Sequence, residues 1–181
     1  MKFVPARLAG VVLIEAPLYH DSRGHFREVH HAGRFADGGL SLSFVQDNLS
    51  RSKRGVVRGL HYQITQPQGK LVSVIRGSIY DVAVDLRKSS PTFGEWFGAE
   101  LSESNGKALY IPPGFAHGFS VTSEEADVLY KCTALYAPAD ERTVLWNDPA
   151  IGIEWPLGGA QPIVSDKDCR GIPLAEAECF R

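Results

Sequence analysis

With 181 residues, 44% of them hydrophobic and 22% charged, the chain has the size and composition of one globular domain, residues 1–181, with a core of its own. A net charge of -2 excludes a broad nucleic-acid-binding face, so any anion must be met by a local cluster of basic groups. The three cysteines, Cys132, Cys169 and Cys179, are odd in number and lack a CxxC spacing, which predicts reduced thiols in a cytoplasmic protein.

The first apolar run, Val11-Val12-Leu13-Ile14, is closed by Glu15. It is too short to span a bilayer and lacks a signal-peptide layout, so no membrane partner is expected. Runs rich in Val, Ile, Tyr and Phe follow at 10–15, 25–30, 43–48, 70–76, 78–87, 108–111, 118–122, 128–136 and 143–146, separated by glycines and prolines. Many short strands with frequent turns predict an all-β sandwich or barrel. Helical periodicity is confined to a turn or two near 32–36 and to the stretch after Ser102, where Ser102-Glu103-Ser104-Asn105-Gly106 reads equally as a turn. Arg76-Gly77-Ser78 joins two long runs and predicts a tight hairpin. No internal repeat, low-complexity tract or linker interrupts the series.

One stretch carries more chemistry than the rest. Gly55, His61, Gln63, Lys70 and Gly77 have the skeleton of a metal-binding β-barrel motif, in which two histidines and a glutamate would hold a cation. Gln63 stands where a second histidine would be and Lys70 where the glutamate would be. A charged lysine has three donors and no lone pair, so it repels a divalent metal, and no metal or other cofactor is expected. A fixed positive charge beside a histidine suits proton chemistry next to a developing anion.

Alternation puts Lys70, Val72, Val74 and Arg76 on one strand face. His61 and Gln63 share a face, with Arg58 on the opposite one. A bulge at Gly59 would bring Arg58 and His61 to the same side. Farther on, Pro112-Pro113-Gly114 fixes a turn before His117, and Gly118 permits close backbone approach. Polar groups also cluster at 21–28, 46–48, 130–136 and 165–168.

Taken singly, these residues have ordinary structural readings. A lone histidine is more often a satisfied structural group, a strand-end lysine keeps its head in water, and tyrosine is common in strands. Arg23 and Asp168 alone would pass for surface charges. His20, His25, His30 and His31 are read as surface or turn residues, and Trp96, Trp146 and Trp155 as core or cap aromatics.

Together, the segments 21–28, 46–50, 58–63, 69–72, 85–94, 111–119, 130–136, 146–149 and 165–168 resemble, in order and spacing, the dTDP-4-dehydrorhamnose 3,5-epimerase family of cupin-like nucleotide-sugar epimerases. They run over nearly the whole chain. One departure is Leu135 before Tyr136, where some members pair two tyrosines.

The resemblance implies an all-β, cupin-like jelly-roll barrel acting on dTDP-4-keto-6-deoxy-D-glucose, with metal-free epimerisation at C3 and C5. His61 would be the general base, Asp168 its partner, Tyr130 the general acid and Lys70 the stabiliser of the C4 oxyanion. Tyr136 would stack on the thymine ring. Arg23, Arg58 and Lys167 would meet the nucleotide and its pyrophosphate. Glu28, Gln46, Asp47, Asn48, His117 and Glu141 would supply further substrate contacts. The C-terminal segment 160–181 would cover the site. A homodimer is implied, with an N-terminal strand lending Arg23 and Glu28 to the neighbour. The alternatives are a 3-only or 5-only epimerase, a metal-dependent barrel enzyme and a non-catalytic sugar-nucleotide binding module.

Overall fold

Alternating apolar residues place the strands in two sheets that pack face to face. The computed structural model describes residues 1–181. Strands β1 (Lys2–Pro5), β2 (Val12–Glu15), β3 (Tyr19–Asp21) and β4 (Gly24–Phe26) lead to a short helix, α1 (Ala32–Asp37). Next come β5 (Gln46–Lys53), β6 (Val56–Gln63), β7 (Lys70–Arg76), β8 (Ser78–Asp85), β9 (Trp96–Ser102), β10 (Lys107–Ile111), β11 (Phe115–Val121) and β12 (Glu125–Cys132). Two shorter strands, β13 (Glu141–Thr143) and β14 (Ile163–Val164), precede helix α2 (Asp166–Cys169).

The first sheet has the order β1-β2-β10-β7-β12-β5 and the second β13-β6-β11-β8-β9, with β14 also on β6. This is the expected all-β jelly-roll architecture. Val72 and Val74 of β7 point inward with Leu109, Ile111 and Val128, and meet Ile79, Ala83, Phe115 and Phe119 of the opposite sheet. Leu71 points the other way, into a cluster with Ile14, Phe35 and Tyr110 that α1 caps. The outer face of the second sheet is covered by the chain's end, where Ala177, Leu174 and Phe180 pack on Leu60, Tyr62 and Val84. Each large aliphatic or phenylalanine side chain buried in these three clusters contributes about 1.5–3 kcal/mol of hydrophobic stabilisation, so both sheets are fixed from both sides. No helix is long and apolar enough to cross a membrane.

Several expectations are revised. The run at 25–30 ends as a strand at Phe26, and His30 instead packs edge-on against Phe35 and Phe44. His31 caps α1, accepting a hydrogen bond from the Arg34 amide. The strand at 128–136 ends at Cys132, which leaves Tyr136 on a loop. The strand at 118–122 begins earlier, at Phe115, so His117 lies within it. Of the two readings open after Ser102, the turn is the one adopted, held by the Asn105 carboxamide accepting from the Ser102 and Lys107 amides.

The hairpin at Gly77 is not one. β7 pairs with β10 and β12, and β8 with β9 and β11, so the chain crosses at Gly77 from one sheet to the other. Gly77 has φ +76°, and a Cβ there would lie 2.0 Å from the Glu125 carbonyl oxygen. A glycine is required at this corner, as it would have been in a hairpin turn.

The bulge at Gly59 is present. On β11, His117 pairs with His61 and Phe119 with Arg58, so two steps on one strand oppose three on the other. Gly59 has φ +120°, and a Cβ would stand 2.6 Å from Gly118 Cα and 2.7 Å from the His117 carbonyl oxygen. A Cβ on Gly118 would in turn lie 2.6 Å from the Arg58 carbonyl oxygen. Only two glycines let the strands approach this closely. Gly59→Ala is therefore expected to cost at least about 2 kcal/mol in urea unfolding, combining backbone strain with overpacking; a loss below about 0.5 kcal/mol would show that the bulge tolerates a side chain.

Candidate active site

The bulge has a chemical consequence at its own amide. The Gly59 N–H donates to Asp168 Oδ2 at 3.3 Å, and Asp168 Oδ1 lies 2.6 Å from His61 Nε2. One buried carboxylate thus joins the bulge to the imidazole. Asp168 reaches this place because β14 runs parallel to β6, pairing Ile163 with Val56 and Val164 with Val57. The chain then turns into α2, where the Asp168 amide donates to Ser165 Oγ at 3.1 Å. Burial would raise the Asp168 pKa, but the hydrogen bonds from His61 and Gly59 outweigh it and hold the carboxyl below its ordinary value.

His61 faces a cleft of about 300 Å³ also lined by Gln46, Asn48, Gln68, Lys70, Tyr130, Tyr136 and Glu141. Lys70 and Tyr130 come from the first sheet, on the paired strands β7 and β12, whereas His61 comes from the second. The imidazole therefore confronts the ammonium and the phenol across the sandwich. Lys70 projects inward, and its Nζ has only the His61 carbonyl oxygen within reach, at 3.5 Å. Burial pushes the Lys70 ammonium below its usual pKa, opposed by Cys132, Glu141 and Asp81. Burial also raises the Tyr130 phenol, with Arg58 opposing, which keeps it a protonated donor at neutral pH.

The rim is a run of side-chain hydrogen bonds. Gln46 Nε2 donates to Asn48 Oδ1 at 2.9 Å, and Gln46 Oε1 accepts from the Tyr136 amide at 2.8 Å. The Tyr136 hydroxyl donates to Glu141 at 2.9 Å, and Glu141 also pairs with Lys167. Burial would raise Glu141, but Lys167 and Tyr136 outweigh it and hold the carboxyl low. The Tyr136 ring is half exposed at the mouth. Arg58, His61, Lys167 and Asp168 line a second depression adjoining the cleft through His61. The bulge therefore brings Arg58 to the side of His61.

Four of the expected residues lie elsewhere. Arg23 pairs with Asp21 on the exposed β3–β4 hairpin, and Glu28 pairs with Arg34. Asp47 alternates outward between Gln46 and Asn48 and pairs with Lys131 at 2.7 Å. His117 is buried behind the cleft with Nε2 2.8 Å from Asp81 Oδ1. Gln63, at the position of a second metal ligand, is a loop clamp. It donates to the Gln66 and Leu135 carbonyls and accepts from the Ala137 amide. Gln68 and Asp81 were not among the expected residues. Asp81 had a signal, a lone acid alternating with Ile79 and Ala83 on an inward face.

Residues 5–176 match the family model described as dTDP-4-dehydrorhamnose 3,5-epimerase. The chain belongs to the dTDP-4-dehydrorhamnose 3,5-epimerase family. It is 51% identical to the dTDP-4-dehydrorhamnose 3,5-epimerase of Pseudomonas aeruginosa, over 99% of each chain. It is also 41% identical to a dTDP-4-dehydrorhamnose 3-epimerase of Streptomyces niveus, over 98% of this chain and 86% of that one. Among solved structures it superposes with a TM-score of 0.94 on the dTDP-6-deoxy-D-glucose-3,5-epimerase of Legionella pneumophila in complex with dTDP-4-keto-L-rhamnose. The two share 47% identity over 98% of this chain and 94% of that chain.

Asp168→Asn should lower stability by about 1–3 kcal/mol near neutral pH, because the charge-assisted bonds to His61 and Gly59 weaken together. The native carboxyl titrates below its unfolded value of about 3.9, so its stabilisation is full above that value and is lost as pH falls through the folded one. Urea unfolding of both proteins at pH 7 and pH 3 should show the gap shrinking at pH 3; a gap independent of pH would contradict the ionised bridge.

Proposed function

We propose that the chain epimerises dTDP-4-keto-6-deoxy-D-glucose at C3 and C5 to dTDP-4-keto-L-rhamnose, without a metal, through enolate intermediates. The observation that carries the reading is the confrontation of His61 with Lys70 and Tyr130 across one cleft. C3 and C5 both flank the C4 ketone, so loss of a proton from either gives an enolate.

Energetics decide what such a site needs. A neutral imidazole has a pKa near 6.5, far below that of a ketone's α-carbon, and each pKa unit of mismatch costs about 1.4 kcal/mol. The enolate must therefore be stabilised by a charge already in place and shielded from water. Lys70 fills that role. Its position on the inward face lets the ammonium meet the C4 oxyanion without reorganising solvent. His61 Nδ1 takes the proton, since Nε2 is held at Asp168. Asp168 fixes this tautomer and stabilises the imidazolium that forms. Tyr130, on the opposite sheet, returns a proton to the other face of the sugar carbon.

The rim suits the nucleotide. Tyr136 offers an exposed ring for the thymine, while Arg58 and Lys167 offer donors for the pyrophosphate. Gln46, Asn48 and Glu141 contact the sugar and base from the cleft wall. We also propose a cytoplasmic homodimer in which the β3–β4 hairpin serves the partner's site. On that hairpin Tyr19 is 61% and Phe26 70% exposed, beside Arg23, which is more than this chain alone accounts for. Epimerisation at C3 alone is the second reading, favoured by the 41% identity to the Streptomyces niveus 3-epimerase.

Incubation of the protein with dTDP-4-keto-6-deoxy-D-glucose should give the L-rhamno product, with both centres inverted by NMR. Product inverted only at C3 would favour the second reading, and an unchanged sugar would overturn both. His61→Ala should lower kcat by about 100- to 10,000-fold. Lys70→Met should lower it by about 100- to 1,000-fold with little change in KM, as expected for a charge used in the transition state. Retention of more than a tenth of wild-type kcat by either variant would remove that residue's role.

A further inference from the structure

Asp81 sits where a carboxylate is costly. It alternates with Ile79 and Ala83 on the inward face of β8, among side chains of the core between the sheets, and is fully buried. Its Oδ1 accepts from His117 Nε2, while its Oδ2 is buried with no protein group in hydrogen-bond reach. Leaving a buried carboxylate oxygen unpaired is destabilising, so a native structure that retains one calls for a reason. Lys70 presents the complementary problem. An ammonium has three donors, and its only acceptor within reach is the His61 carbonyl at the outer limit of hydrogen-bond distance, 3.5 Å.

We propose that Asp81 is a positioning residue of this site, supplying the buried counter-charge that keeps Lys70 an ammonium in the dry cleft and holding His117 in a single tautomer. This rests on the reading of Lys70 as the oxyanion partner. Asp81 and Lys70 form no direct ion pair, so the carboxylate acts on the ammonium through its field across the enclosed core. With His117 neutral and donating from Nε2, the carboxylate keeps its full charge, opposite in sign to that of Lys70. Burial alone drives Lys70 towards the neutral amine and Asp81 towards the acid, and the attraction between them opposes both changes. The other titratable groups around Lys70 are Cys132 and Tyr130 of β12, Glu141 of β13, His61 of β6 and His117 of β11. Of the acids, Asp81 is the one wholly enclosed, so its field is the least screened by water.

The test reads the charge of Lys70 apart from turnover. In protein carrying carbon-13 lysine, the Lys70 signal is assigned by its absence from Lys70→Met and titrated in wild type, Asp81→Asn and Asp81→Glu. A lysine that loses a neighbouring anion gives up its proton more readily. Asp81→Asn should therefore lower the Lys70 midpoint by about one pH unit or more, and Asp81→Glu should restore part of it. The alkaline limb of kcat should move by the same amount. Infrared spectra supply a second arm that does not need Asp81→Asn to fold: Lys70→Met at neutral pH should show the carbonyl stretch of a protonated carboxylic acid, absent from wild type. A folded Asp81→Asn with an unmoved Lys70 midpoint would overturn the proposal, as would Lys70→Met without the acid band. If no protein turns over the keto sugar, the epimerase reading fails, while the lysine titration still decides the role of Asp81.

Discussion

One carboxylate is shared between a backbone bulge and an imidazole, and most of the site follows from that sharing. Asp168 accepts from the Gly59 amide with one oxygen and holds His61 with the other. The amide is available because the extra residue in β6 takes it out of the ladder with β11. The extra residue is tolerated because Gly59 and Gly118 leave no Cβ where the strands touch. The acid arrives because β14 docks beside the first residues of β6, and β13 beside its last, leaving the bulge open between them. A local irregularity, two glycines and a short parallel strand thus fix the position and tautomer of one ring.

The sandwich supplies the rest by opposition. Its two sheets present different chemistry to the same cleft: the imidazole on one, the ammonium and phenol on the other. In a metal-binding barrel the cation would be acquired from solution and held by ligands on the walls. Here Gln63 is turned away to tie down two loops, and Lys70 occupies the interior. A charge carried by the chain cannot be chelated away, but it can lose its proton, and burial favours that loss. An internal anion such as Asp81 is the natural remedy. The need for a dry site and the need for a charged one would then be met by two buried groups of opposite charge.

Much of this was legible in the sequence, and the remainder was hidden for physical reasons. Alternation and turn glycines were enough for the all-β class, and the spacing of Gly59 from His61 was enough to anticipate the bulge. Gly77 misled because a positive φ marks a turn without saying which sheet the next strand joins. His61 and Lys70 are separated by a single loop and could be paired by eye. Asp168 is 107 residues from His61, so only family spacing connected them. Asp81 shows in the sequence only as a lone acid among inward-facing apolar residues, and the lack of a protein partner for its second oxygen exists only in three dimensions. Arg23 and Glu28 lie off the cleft of their own chain, and nothing in their local sequence distinguishes a residue serving its own site from one serving a neighbour's.

The central claim is that base and acid approach the sugar from opposite sheets, so that proton removal and proton return are separable events. Turnover of the keto sugar nucleotide in deuterated water by the Tyr130→Phe variant tests it most directly. Wild type should place deuterium at both C3 and C5 of an inverted product. The variant should still wash deuterium into recovered, uninverted sugar, because His61 and Lys70 continue to form the enolate while the opposite face lacks its donor. Inversion by the variant at the wild-type rate, or no deuterium at either carbon, would contradict the account.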